Sequence, residues 1–191
     1  MLLTVFRAKE RIKHDSFGIN HETRLYKKIS ENRYLIHLPL EHGKEVVKGV
    51  MMQNIESAIL AWQTYNLNES LKLTMELQRR LEIPPIFELY RFDHDLFVNW
   101  FDTSSQVLEC IFDSSVGERS LVSFNLKTSE QFKKLLQDIK IKYMVFTLKE
   151  EKIIITGREE GRLSITPDLD DNKLFSVLDK LLGNNIVVAS T

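Results

Sequence analysis

The sequence predicts an α+β fold in which a mainly antiparallel sheet packs against helices. Two patterns along the 191 residues support this class. Apolar and polar residues alternate in many short runs, which is the period of a strand, and elsewhere apolar residues recur three and four positions apart, which is the period of a helix. Gly and Pro are scarce, at seven and four residues, so we expect few long flexible linkers.

Residues 120–189 carry the clearest pattern, which predicts a C-terminal β-α-β-β-β-α-β unit. Strands are expected at residues 120–127, 143–148, 152–156, 162–166 and 186–189, with a hairpin turn at 157–161. Each of the two helices has apolar residues on one side. In the first helix they are Phe132, Leu135, Leu136 and Ile139, and in the second they are Leu174, Phe175, Leu178, Leu181 and Leu182. Thr128 and Gln131 fit a capping box at the start of the first helix.

Residues 1–83 are predicted to form an N-terminal α/β portion. Its expected elements are a strand at 2–6, a loop at 7–20, a short helix at 22–30, a strand at 33–40 and a long helix at about 44–65. The long helix is predicted from a broad apolar stripe formed by Val46, Val47, Val50, Met51, Ile55, Ala58, Ile59 and Trp62.

The segment 71–77 has two interpretations. Its leucines and Met75 alternate with polar residues, which is typical of a strand. The same residues have high helix propensity, Asn68 is a suitable cap, and Leu73, Leu77 and Leu81 recur every four positions, which favours a helix.

Pro84 and Pro85 mark the expected boundary between the two portions of the chain, since a residue before proline avoids the helical conformation. The second portion, residues 86–191, is predicted to be rich in strands and to join the first in one continuous domain or to form a second domain. Its first strands are expected at residues 86–92, 96–101 and 106–112.

The overall charge is nearly balanced, with 26 Lys and Arg against 27 Asp and Glu. Net charge therefore favours neither nucleic acid nor a membrane surface as the partner. A single cysteine, Cys110, forms no internal disulfide and suits a reducing compartment. The apolar run at the start of the sequence ends at Arg7, too early for a signal peptide or a membrane span. We expect a cytoplasmic protein, or one of another reducing intracellular compartment, and no motif predicts a cofactor.

The segment 93–120 is acidic and aromatic, with six acids against one arginine, a net charge of −5. A strand pair with a solvated acidic edge is the favoured interpretation, and a surface for a basic partner, centred on residues 93–112, is the alternative.

The densest group of titratable residues is Asp93, His94 and Asp95. Together with Asp102 they are the first candidates for a metal-dependent enzyme. Neighbouring residues on a strand point to opposite faces, so catalysis here is the weaker hypothesis. A metal site from His37, His42 and His94 requires a fold that gathers all three.

Parts of the C-terminal unit resemble the domain of a DNA sliding clamp. The similar segments are residues 128–138 (TSEQFKKLLQD), 145–148, 153–155, 157–161 and 178–187 (LDKLLGNNIV). The resemblance implies a non-catalytic, ring-like module whose helices face DNA. It also implies which residues would contact phosphate, namely Lys133, Lys134, Lys140, Lys173 and Lys180.

The leading functional hypothesis is a non-catalytic binding or adaptor protein that recognises a protein partner or self-associates, as a subunit of a larger assembly. Its recognition surface would be a strand edge or an apolar patch. The outer face of the first C-terminal helix carries Glu130, Lys134 and Gln137. Such mixed charge favours a protein over a phosphate backbone. The alternatives are a clamp-like DNA-associated module and the metal-dependent enzyme.

Overall fold

The chain divides into two units in the computed structural model. The N-terminal unit takes in Leu2–Tyr90 and the residues from Asp170 onward, and the central unit takes in Met1 and Arg91–Leu169. The structure describes residues 1–8, 26–30, 33–39, 46–53, 58–64, 66–82, 84–148 and 152–182. Within these residues each unit has an antiparallel sheet packed with helices, which confirms the predicted α+β class.

The N-terminal unit has a six-stranded sheet in the order β2-β3-β4-β5-β1-β6. Its neighbouring strands pair antiparallel. The strands are β1 Leu2–Ala8, β2 Tyr26–Ser30, β3 Arg33–Pro39, β4 Val46–Gln53, β5 Ala58–Trp62 and β6 Phe87–Leu89.

Helix α1, Leu67–Arg80, covers one face of this sheet. Its N-cap is Asn66, whose side chain accepts a hydrogen bond from the Asn68 amide at 2.9 Å. Leu73 and Leu77 lie in one buried cluster with side chains of β1, β3, β4, β5 and β6. The indole of the fully buried Trp62 donates to the Thr74 hydroxyl at 2.9 Å, so its one polar atom is satisfied.

Helix α4, Asp171–Leu182, is held to the opposite face of the same sheet by ion pairs at two of its turns. Asp179 pairs with Arg33 on β3, and Asp171 pairs with Lys48 on β4 at 2.8 Å. Arg33 precedes the core residue Tyr34 and therefore points to the other face of the strand. The N-terminal unit is thus a sheet between two helices.

The central unit has a five-stranded sheet in the order β11-β10-β9-β7-β8, with antiparallel neighbours. The strands are β7 Ser104–Ser114, β8 Gly117–Val122, β9 Lys140–Leu148, β10 Ile154–Arg158 and β11 Arg162–Thr166. The helices are α2 His94–Thr103 and α3 Glu130–Leu135, with a 3₁₀ helix at Leu126–Thr128.

Trp100 on α2 is the centre of the core of this unit. Its ring meets Phe92 and Phe97 edge-on, at centroid distances of 5.1 and 5.2 Å, and stacks on Phe146 of β9 at 5.5 Å. Such aromatic pairs add to the free energy gained from burying apolar area. They attach α2 to one face of the sheet.

Gly157 on β10 makes the close approach of Trp100 feasible. A Cβ at this position would lie 2.3 Å from an indole carbon, which is far inside van der Waals contact. Gly49 on β4 does the same for Trp62 in the N-terminal unit, where the corresponding distance is 2.7 Å. Each sheet therefore has a tryptophan ring packed against the backbone of a glycine in one of its strands.

The long helix predicted at residues 44–65 is wrong, because Val46–Gln53 and Ala58–Trp62 are strands β4 and β5. Residues 49–53 of β4 and all of β5 are buried on both faces, so the apolar residues there follow one another without alternation. A continuous apolar run of this kind fits a helical stripe equally well. Residues 44–45, 54–57 and 65 of that prediction lie outside the described residues.

Two shorter predictions are also wrong. The segment predicted as a strand at 96–101 lies in α2, where Asp93 caps the helix by accepting from the Leu96 amide at 2.9 Å. Of the helix predicted at 22–30, the described part is strand β2, which gains its backbone partners from β3. Tertiary pairing overrides local propensity in this case.

Other predictions are confirmed. The segment 71–77 is helical, within α1. Strands β1, β3, β6, β7, β9, β10 and β11 overlap the strands predicted there, although β6 is limited to Phe87–Leu89 and β10 begins two residues later than predicted, and α4 matches the second C-terminal helix. The first C-terminal helix, α3, ends at Leu135, so Leu136 and Ile139 lie beyond it. The turn predicted at 157–161 is shorter than expected, because Gly157 and Arg158 belong to β10 and residues 159–161 join it to β11. Gly161 adopts a φ of 75° there. The strand predicted at 186–189 lies outside the described residues.

We predict that Gly157→Ala destabilises the protein by about 1–3 kcal/mol, because the added methyl group overpacks the indole of Trp100. Glycine-to-alanine changes within strands usually have the opposite sign. Urea denaturation followed by tryptophan fluorescence measures the effect.

The double variant Gly157→Ala with Trp100→Leu is the control for this prediction. Removing the ring removes the clash, so alanine at 157 should cost less in the Trp100→Leu background. Equal costs in both backgrounds would contradict the role given to the contact.

Candidate functional site

Strand β8 is the outer strand of the central sheet. Among the described residues it has one strand neighbour, β7, and all six of its residues are exposed. Helix α2 packs on β7 and β9. An outer strand of this kind presents unpaired backbone groups to another chain.

The hydrogen-bonding direction of each β8 residue follows from its register with β7. The Ser123 amide donates to the Leu108 carbonyl at 2.9 Å, and the register continues through the pair Val122 with Glu109. Hydrogen-bonded and non-hydrogen-bonded pairs alternate along antiparallel strands. Arg119 and Leu121 therefore bond inward to β7. The backbone groups of Glu118, Ser120 and Val122 point outward.

Phe124, just beyond β8, is the most exposed large apolar side chain of the described residues, at 96 % of its full accessibility. Val122, at 74 %, and Leu121 are also exposed, and Val116 at the other end of the strand is 72 % exposed. Exposed apolar side chains along one sheet edge are a feature of protein-binding surfaces.

The backbone that carries Phe124 is held on both sides. Before it, the Ser123 amide bonds to β7. After it, the Asn125 side chain accepts from the amides of Val107 and Lys127, at 3.2 and 3.1 Å. The Phe124 ring is therefore presented from a fixed position, which lowers the entropy lost on binding.

Lys127 anchors the 3₁₀ helix that follows. Its ammonium donates to the carbonyls of Asp102 and Ser104, at 2.9 and 2.8 Å, and lies 5.5 Å from the centre of the Phe101 ring. Because Asp102 and Ser104 lie at the junction of α2 and β7, this lysine ties the Phe124 segment to the core of the central unit.

We define the binding edge as β8 together with Phe124. The strand predicted at residues 120–127 was too long, since β8 ends at Val122 and Leu126–Thr128 forms the 3₁₀ helix. Alternation of Val122, Phe124 and Leu126 predicts one shared face, whereas Leu126 is buried and Phe124 is exposed. Asn125 was the available signal, because an asparagine often ends a strand and caps the next helix.

The candidate catalytic residues are spread along α2. Asp93 is the N-cap, His94 and Asp95 begin the helix, and Asp102 lies in its last turn. Asp102 lies eight positions after His94, which is a rise of about 12 Å along the helix. One substrate atom therefore cannot contact the side chains at both ends. The His94 Nδ1 atom is buried without a hydrogen-bond partner.

No group of three or more His, Cys, Asp or Glu side chains within the described residues is arranged to hold a metal ion. His37 lies on β3 in the N-terminal unit and His94 lies in the central unit, while His42 is outside the described residues. Cys110 is fully buried on β7, and burial raises the pKa of its thiol to about 12. Its thiol is therefore protonated near neutral pH and is a poor nucleophile.

The acidic aromatic segment 93–112 separates into a core and a surface. Its aromatic side chains are all buried. They are Phe97, Trp100, Phe101 and Phe112. Asp93, Asp95 and Asp102 are exposed. The aromatic residues are thus part of the core and are not available to a partner.

The five lysines implied by the clamp resemblance lie in different units. Lys133, Lys134 and Lys140 belong to the central unit, and Lys173 and Lys180 belong to α4 of the N-terminal unit. Lys133 pairs with Glu130 at 2.6 Å, and Lys140 pairs with Glu159 at 2.5 Å. These carboxylates offset two of the positive charges. DNA binding stays a prediction.

The face of the central sheet opposite α2 carries a small polar cluster. The Tyr143 hydroxyl lies 3.4 Å from a Glu109 carboxylate oxygen, and the Arg158 guanidinium lies 5.0 Å from the centre of the Tyr143 ring. Burial and the nearby Glu109 carboxylate raise the pKa of Tyr143. A phenol that holds its proton more tightly than usual is not a general base near neutral pH.

A comparison with models of known protein families and with curated protein sequences finds no match for this chain. No helix of the described residues is both long and apolar enough to span a bilayer.

We predict that Asn125→Ala lowers the free energy of unfolding by about 1–3 kcal/mol, because the substitution leaves the amide of the buried residue Val107 without an acceptor. Urea denaturation measures this loss. The Phe124 segment should also exchange its amide protons faster, since it loses its attachment to β7.

Asn125→Asp is the matched variant, because a carboxylate retains the oxygen that accepts from Val107 and Lys127. We expect it to retain most of the stability that alanine loses. If both variants are as stable as the parent chain, the side chain of Asn125 does not hold this segment.

Proposed function

We propose that this protein is a non-catalytic binding module that recognises a protein partner through the binding edge, as a subunit of a larger assembly. The observation that carries this function is the combination of a fully exposed outer strand with a 96 % exposed phenylalanine on a fixed backbone. Aromatic side chains of this kind contribute much of the binding free energy in protein interfaces.

The backbone of β8 supports recognition by strand addition. Outward groups at Glu118, Ser120 and Val122 can pair with an extended segment of the partner, and Phe124 can enter an apolar pocket beside it. Residues 120–126 contain no charged side chain. A partner that covers this stretch therefore removes no charged group from water.

The positions of the candidate catalytic residues favour binding over catalysis. The acidic residues of α2 lie at its two ends, and the thiol of Cys110 is buried. The clamp-like DNA-associated module has weaker support, since Lys133 and Lys140 are paired with carboxylates.

We predict that a photoreactive benzoyl-phenylalanine at position 124 cross-links to a protein in an extract of the native cells, either to a different protein or to a second copy of this chain. The same residue at position 75 is the control, since Met75 is 68 % exposed but lies on α1 of the N-terminal unit and is not part of the binding edge. A discrete adduct from position 124 alone is expected. Equal adducts from both positions, or none, would contradict the proposed function.

Adding Ser120→Pro to the position 124 variant tests strand addition. Proline removes the outward amide of Ser120 without removing an inward hydrogen bond to β7. We expect the adduct to fall severalfold. Ser120→Ala keeps the amide and should leave the adduct unchanged, and circular dichroism with thermal unfolding shows whether each variant is folded.

A further inference from the structure

We propose that the protein partner at the binding edge is a second copy of this chain, paired antiparallel through β8 about a two-fold axis at Ser120. This inference rests on the proposed function, because it uses the same strand and the same exposed phenylalanine. It adds the identity of the occupant and the register of the contact.

Symmetry restricts the registers that two β8 strands can adopt. The two-fold axis stands perpendicular to the paired strands and keeps each side chain on its own face of the sheet, so residues that pair must be an even number of positions apart. Outward backbone groups must also meet outward groups. With Glu118, Ser120 and Val122 pointing outward, the axis can pass through any one of positions 118 to 122.

Charge and hydrogen bonding select one of these five registers. An axis at Glu118 or at Arg119 places that residue opposite its own copy, and like charges directly opposite destabilise a strand pair. With the axis at Leu121 or Val122, the position opposite Glu118 lies beyond the end of the second β8. Glu118 then has no strand residue to pair with. Only an axis at Ser120 pairs all three outward residues of β8 with outward residues of the second copy.

The same register matches the apolar ends of the binding edge. Val116 lies four residues before Ser120 and Phe124 lies four residues after it. Val116 lies in the turn before β8 and Phe124 just beyond its end. The two-fold axis therefore brings the end of one β8 that carries the exposed Phe124 towards the end of the other that carries the exposed Val116. Arg119 faces Leu121, and Glu118 faces Val122, so no two charges of the same sign are opposed.

Ser120→Cys tests the register. At the axis the two cysteines face each other in a hydrogen-bonded pair, where Cα atoms are about 5.5 Å apart, and this lies inside the range that a disulfide bridges. Mild oxidation of the purified chain should give a covalent dimer. The native Cys110 is buried and should take no part.

Val122→Cys is the matched control on the same strand. It lies opposite Glu118 of the second copy and not opposite itself, so we expect several-fold less covalent dimer than from Ser120→Cys. Combining Val122→Cys with Glu118→Cys should restore the dimer. Sedimentation of the unmodified chain over a range of concentrations gives its mass without cross-linking and should show a reversible dimer.

Equal yields from Ser120→Cys and Val122→Cys would overturn the proposed register, and a chain that stays monomeric at every concentration would overturn self-pairing. If such a monomer still forms an adduct with a different protein from position 124, the proposed function stands and only the identity of the partner is wrong. If position 124 forms no adduct with any protein, both proposals fail.

Discussion

The contact between Trp100 and the bare backbone of Gly157 is the constraint on which the central unit depends. It places α2 flat on one face of the sheet, with Phe92, Phe97 and Phe146 completing the contact around the indole. An indole held this closely tolerates no side chain at position 157. The tryptophan thereby attaches α2 to β9 and β10.

Strand β8 takes no part in this packing. The core side chains of the central unit come from α2, α3, β7 and the strands beyond it, while every residue of β8 stays exposed. Asn125 and Lys127 then fix the chain immediately after the strand, against β7 and the end of α2. The result is an outer strand with a rigid apolar end, a combination that suits recognition of another polypeptide.

The sequence predicts the fold class and most of the C-terminal elements because strands with one solvated face alternate clearly there. It fails for β4 and β5, since strands buried on both faces lose the alternation that identifies a strand. It fails for α2 because Leu96, Phe97, Trp100 and Phe101 fit a short apolar strand as well as one face of a helix. Phe124 shows why the candidate site could not be predicted from the sequence. Its apolar character is evident, but whether it packs inward depends on where β8 ends, and long-range bonds to β7 decide that.

Residue-resolved amide hydrogen exchange tests the central claim most directly, in a sample diluted until the chain is monomeric. If β8 is an open outer strand in the register described, the amides of Glu118, Ser120 and Val122 exchange fast. Those of Arg119, Leu121 and Ser123, which bond to β7, exchange slowly. Protection of all six amides would mean that the outer side of β8 is already covered, and fast exchange of all six would mean that β8 is not a stable strand. Either result would contradict a preformed binding edge.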